Sequence, residues 1–188
     1  NMKKFICILM IAVLLVLSAG CTQQTETPEV TTPPTGVPTQ PPATPSMDYS
    51  AWIDRGNSEI IQGRAAIQSG RDSLHNAMVK QGVSPEVVTI LADTEYSFSA
   101  ARTHFLNAGD YYSQASGTAP DGIKAQIALA ESMVPQVLRS CQLYLDATHA
   151  AQANDWYNAN NLENQANLMY QAGNSSLNEV LQSLGLVS

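Results

Sequence analysis

Residues 53–77 read IDRGNSEIIQGRAAIQSGRDSLHNA. Ile53, Ile60, Ile67 and Leu74 recur at every seventh position, and Gly56, Gly63, Gly70 and Ala77 follow each of them by three. Apolar positions spaced three and four apart form one stripe along an α-helix, whereas a strand alternates with period two. The stretch therefore predicts a long helix whose seam alternates large and small residues. Each interior glycine costs such a helix about 1 kcal/mol relative to alanine. A glycine at every seventh position leaves a strip without side chains, which a neighbouring helix can approach closely.

The same beat continues down the chain. The next seam runs Val87, Leu91, Thr94, Phe98, Ala101, Phe105, Ala108, Tyr112, Ala115. Its alanines form a small-residue strip that matches the glycines, so the first two helices are expected to be the tight pair, strip against strip. A third seam runs Ile123, Ile127, Ala130, Val134, Val137, Cys141, Tyr144, Thr148, Ala151. The fourth runs Ala159, Leu162, Ala166, Met169, Gly173, then drifts to Leu177, Val180, Leu181 and Leu184.

Breaks separate these seams. In Gly82-Val83-Ser84-Pro85 a helix stops and a new one opens, with Ser84 as N-cap and Pro85 at the first helical position. Gly117 to Gly122 makes the second turn, and Asn154-Asp155 the third, with Asp155 as N-cap. Helices at roughly 49–81, 85–116, 121–153 and 155–184, joined by short loops, predict an all-α, up-down-up-down antiparallel four-helix bundle over 48–188. Pro135 falls inside the third helix; the apolar phase runs through it without a slip, so a kink is expected rather than two helices. Asn107 to Tyr112 and Ala153 to Tyr157 are alike, as in the turn of tetratricopeptide repeats. Their separation of about 45 residues does not fit the 34 of that family.

Ahead of the bundle, Lys3 and Lys4 precede an apolar run from Phe5 to Leu17, and Ser18, Ala19 and Gly20 lead to Cys21. This is the layout of a signal peptide over 1–20, and a run this short does not span the hydrocarbon core. Leu17-Ser18-Ala19-Gly20-Cys21 resembles the lipobox of prokaryotic lipoproteins. That family usually has leucine three places before the cysteine, where this chain has Ser18. The resemblance implies that Cys21 is lipidated on sulfur, becomes the first residue of the mature chain and anchors it to the membrane.

Residues 21–47 carry Cys21 and a tract with eight threonines and seven prolines. Proline at that density blocks helix and sheet and favours an extended, disordered tether of up to about 80 Å at 3.1 Å per residue. A Thr/Pro spacer after a lipobox is similar to the arrangement of archaeal surface lipoproteins, and stalks of this composition carry O-glycans.

The net charge is -7, and -9 once the leader with Lys3 and Lys4 is taken away. The remaining cations, among them Arg64, Arg71 and Arg139, are scattered, so nucleic acid is not an expected partner. Of three cysteines only Cys141 lies in the domain, which must hold together by packing without a disulfide. At an inward position without a histidine beside it in sequence, Cys141 reads as a small hydrophobe.

Asp72 with His75 and Asp146 with His149 put a carboxylate and an imidazole three residues apart on two helices, similar to the Glu-x-x-His pairs of di-iron bundles. The seams place both aspartates at the outermost heptad position, so these pairs are expected to face water, and no metal or other cofactor is expected. His104 reads as a flank residue. No phosphate loop, nucleophile elbow or zincin motif occurs.

Tyr49, Trp52, Tyr111 and Tyr112 fall at the tethered end of the bundle, and Trp156 and Tyr157 at the far end. Aromatic residues at helix ends cap the core or serve as binding anchors; Trp156 and Tyr157 are the candidate partner contacts. Asn174-Ser175-Ser176 is an N-glycosylation sequon expected to face outward.

The sequence thus points to a non-enzymatic, lipid-anchored extracytoplasmic bundle that meets an envelope or surface protein or serves a structural role. Two alternatives stand beside it: a small-ligand-binding or sensory bundle, and a metal-dependent oxidase of the di-iron type.

Overall fold

The structure is a computed structural model that describes residues 48–184. The expected leader, Cys21 and the Thr/Pro tract lie outside the described residues. Four helices make an all-α bundle: α1 Tyr49–Lys80, α2 Pro85–Thr118, α3 Asp121–Gln152 and α4 Trp156–Ser183.

The heptad stripes become the core. Every seam residue of α1 and α2 is buried. In α3 the buried set extends beyond the stripe to Ser140, Leu145 and Ala147, while Ile123 is only half-buried. In α4, Leu162, Met169 and Leu184 are half-buried, and the phase drift ends in Leu177, Val180 and Leu181.

Local chemistry sets the helix ends. The Ser84 hydroxyl accepts from the Val87 N–H at 3.3 Å, and Asp155 accepts from the Asn158 N–H at 3.2 Å. Gln81 and Gly82, at φ of 49° and 85°, reverse the chain between α1 and α2. α3 runs as one helix through Pro135, and α2 runs through Gly109-Asp110 without a break.

α1 packs closely on α2, α3 on α4, and α2 on α3, whereas the α1 and α4 backbones stand further apart. The α1–α2 contact is not the strip-on-strip match expected above. Gly56, Gly63 and Gly70 each face an aromatic ring of α2. A Cβ there would lie 2.7 Å from Tyr112, 2.9 Å from Phe105 and 2.6 Å from Phe98. The alanines of α2 are buried, but the atoms nearest to each glycine belong to these rings and not to the alanines. Sequence spacing pairs small with small, whereas packing fills each gap in one helix with a bulky side chain of the next. Burying three such rings, at about 1.5–3 kcal/mol each, offsets the roughly 3 kcal/mol that the glycines cost the helix.

The Phe98 ring also stacks on Tyr144 of α3, with centroids 4.6 Å apart and planes 5° from parallel. Gly70, Phe98 and Tyr144 therefore form one layer through the bundle. The Tyr144 hydroxyl extends it to α4 by donating to Asn167 Oδ1 at 2.6 Å.

Candidate functional site

Two features stand out against this core, a cluster of exposed apolar residues at one pole and a polar seam along one face. The pole lies where α1 and α3 end and α2 and α4 begin, opposite the end at which the chain enters the bundle. The α1–α2 turn pushes Val83 outward, and Val79 and Val88 flank it. Their exposures are 74%, 71% and 58%, and Tyr157 in the first turn of α4 is 81% exposed. Trp156 beside it is half-buried and packs against the core, its indole N–H held by Asn154 Oδ1 at 2.7 Å.

Two clefts open here. One of about 380 Å³ lies between α1 and α4 and is lined by His75, Met78, Val79, Trp156, Tyr157 and Glu163. The other, about 200 Å³, is lined by Val83, Val88, Leu91 and Ala151. The first is mixed, with Gln81, Asn160, Glu163 and His75 beside its apolar and aromatic side chains, and the second is largely apolar.

The polar seam joins α1 to α4. On α1, the residues after the glycines of the heptad stripe, Asn57, Arg64 and Arg71, are all half-buried, and Arg64 and Arg71 act on side chains of α4. On α4 the facing stripe is Glu163, Asn167, Tyr170, Asn174 and Asn178, also half-buried. Arg64 Nη2 donates to Asn178 Oδ1 at 2.7 Å, and the Tyr112 hydroxyl of α2 reaches Asn57 Oδ1 at 2.8 Å.

Burial lowers the Arg64 pKa from its ordinary value, and the nearby Tyr170 and Tyr112 oppose that shift. Burial raises that of Glu163, against the pull of His75, Arg71 and a hydrogen bond from Asn167. Tyr112, Tyr144 and Tyr170 are all shifted upward, chiefly by burial. Sequence reading missed this seam because it follows one stripe per helix. Asn57, Arg64 and Arg71 recur with the same period of seven as the glycines, and that period was the available signal.

The sequence-predicted candidates are scattered. Trp156 and Tyr157 do line one cleft, as neighbours of different burial. Asn174 does not face outward as expected: it is half-buried on the α1-facing stripe, and its Oδ1 is buried without a protein partner. A 3.6-residue turn carries the sequon from the solvent face onto the seam between Tyr170 and Asn178.

His75 edges the α1–α4 cleft, whereas His149 reaches Glu95 of α2 at 3.5 Å. Asp72 and Asp146 accept from Gln68 and Gln142 of their own helices. Among the described residues no three His, Cys, Asp or Glu side chains converge on one point as a metal site requires. His104 pairs with Glu59 of α1 at 2.7 Å.

Cys141 is buried, and burial pushes its thiol up to about 12. A thiolate is the reactive form, so this thiol is not poised as a nucleophile. The core hydroxyls of Thr94 and Thr148 each donate to the carbonyl four residues earlier, at 2.7 Å and 2.8 Å. Neither they nor Tyr144 line either of the two clefts. None of the described helices is long and apolar enough to cross a membrane. The chain matches no protein-family model, no curated protein and no solved structure.

Proposed function

We propose that the chain is a lipid-anchored extracytoplasmic protein whose bundle holds its far pole out to an envelope or surface protein. The observation that carries this reading is the gathering of Val79, Val83, Val88 and Tyr157 at that pole, all more than half exposed and interleaved with two clefts. Exposed apolar side chains gathered at one end of a domain suit an interaction site, since a monomer gains nothing by leaving them in water. Trp156, anchored in the core by its ring and oriented by Asn154, is the kind of rigid aromatic that concentrates binding energy.

The place of this pole, opposite the entry of the Thr/Pro tract, fits a head at the end of a lipidated tether. Val79→Ser, Val83→Ser and Tyr157→Ser together test the reading. The triple variant is expected to fold as the parent does and to lose the envelope protein that co-purifies with the parent from detergent-solubilised membranes. Undiminished co-purification would reject the far pole as the contact.

A further inference from the structure

The α1–α4 cleft at the far pole has two kinds of wall, ordered along the helices. α1 ends at this pole and α4 begins there, so Val79, Trp156 and Tyr157 sit at the mouth. Asn160 lies about one turn deeper on α4, and Glu163 about one turn deeper again, with His75 of α1 in the same wall. Trp156 and Glu163, seven residues apart, share one face of α4 and stand about 10 Å from one another along its axis. At about 380 Å³ the cleft has room for one long side chain with its flanking backbone.

Glu163 is half-buried, and it belongs to none of the ion pairs among the described residues, which are Lys80–Glu86, His104–Glu59 and His149–Glu95. His75 and Arg71 act on it from beyond 4 Å, and burial still outweighs them. A further positive charge at this carboxylate is therefore favoured. The surrounding turns are acidic as well: Asp72, Asp93, Asp146 and Asp155 stand outside those ion pairs, and of the two cations there, Arg71 and Lys80, the second is tied to Glu86 at 2.6 Å. A pole of this sign draws a basic partner and repels an acidic one. An aromatic mouth above a carboxylate suits a side chain with an apolar stem and a cationic head.

We propose that the α1–α4 cleft takes a lysine or arginine side chain of the protein that the far pole meets. The stem lies against Trp156 and Met78, and the ammonium or guanidinium donates to the Glu163 carboxylate. This names the chemistry of the partner and rests on the reading of the far pole as a contact surface.

The test titrates the full chain in detergent with N-acetyl-lysine amide, N-acetyl-arginine amide and the uncharged N-acetyl-norleucine amide at constant ionic strength, following the indole N–H resonances. The chain has two tryptophans, and Trp52, stacked on Tyr111 at the opposite end, is the internal control. The lysine or the arginine amide is expected to shift Trp156 saturably and leave Trp52 in place, with an affinity about three- to tenfold above that of the norleucine amide, as one charge-assisted contact at a half-exposed site provides. Glu163→Gln keeps the shape, removes the charge and is expected to abolish that preference. A Trp156 resonance that neither cation moves, equal affinity for norleucine amide, equal shifts at Trp52, or a preference that survives Glu163→Gln would each overturn the proposal. In co-purification Glu163→Gln should weaken retention of the far-pole partner. Full retention by Glu163→Gln together with loss in the Val79→Ser, Val83→Ser, Tyr157→Ser variant would overturn the basic side chain and leave the far pole standing, whereas full retention by both would overturn the two together.

Discussion

The Phe98 ring stands so close over Gly70 that a Cβ on the glycine would lie 2.6 Å from Phe98 Cε1. The same ring stacks on Tyr144, which restricts how far it can shift. Gly70→Ala, which on an exposed helix would add up to about 1 kcal/mol of stability, is therefore expected to destabilise by roughly 1–3 kcal/mol. Denaturant unfolding of the single variants and of the Gly70→Ala, Phe98→Ala pair checks this. With the ring gone the alanine should be tolerated, and additivity of the two changes would contradict the contact.

Tyr144 donates to Asn167 at 2.6 Å within a buried layer. Tyr144→Phe leaves the Asn167 oxygen without its donor and is expected to cost about 0.5–1.5 kcal/mol. Asn167→Ala strands the hydroxyl and should cost about as much or more. In a double-mutant cycle the pair should couple, and a coupling near zero would show that water serves both groups equally well.

Alkaline pH should unfold the bundle through its buried acids. Cys141 titrates at about 12 when folded against an ordinary 9.0, and Tyr112 and Tyr144 are likewise held protonated above their ordinary 10.0. A raised folded pKa leaves stability intact below the unfolded value and removes it as pH climbs toward the folded one. Stability should thus stay level up to pH 9 and then fall, by up to about 1.4 kcal/mol per pH unit for each group in its window. Cys141→Ala should delay the onset toward pH 10 whatever its effect at pH 7. An onset unchanged by the substitution would assign the loss elsewhere.

Arg64 is desolvated without a carboxylate beside it, so an apolar isostere should not weaken the fold. Arg64→Met is expected to leave stability unchanged within about 1 kcal/mol, since the half-buried guanidinium keeps part of its hydration. Thermal unfolding measures this, and a loss above about 1 kcal/mol would mean that the Arg64–Asn178 bond matters more than the desolvation.

Much of the fold is legible in the sequence because two seams are nearly crystalline in their spacing. Ile53 to Ala77 and Val87 to Ala115 keep the heptad without a slip, and every residue on them is buried. What sits opposite each residue was not legible. The glycines were expected to meet Ala101, Ala108 and Ala115 and meet Phe98, Phe105 and Tyr112 instead, since spacing along one helix says nothing about the stagger of its neighbour.

The polar seam escaped for a related reason. A helix in a bundle faces two neighbours, and a stripe such as Asn57, Arg64 and Arg71 beside the apolar one looks like solvated surface until the facing Tyr170, Asn174 and Asn178 are known. Of the candidate site, Trp156 and Tyr157 were found as helix-end aromatics. Val79, Val83 and Val88 were not, because isolated valines near a turn carry no signal until the fold gathers them at one pole.

The proposed anchoring lies on Cys21, and Cys21→Ala is expected to move the chain from the membrane fraction to the soluble one. Unchanged fractionation would refute the lipid.

The most direct test of the far pole as a contact surface puts a photo-crosslinking amino acid at Tyr157 and, as a control of similar exposure on the flank of α2, at Tyr96. The two side chains are 81% and 77% exposed, so accessibility alone does not separate them. In intact cells position 157 should give one dominant adduct with an envelope or surface protein that position 96 does not give. The same adducts at both positions, or none at 157, would contradict the account.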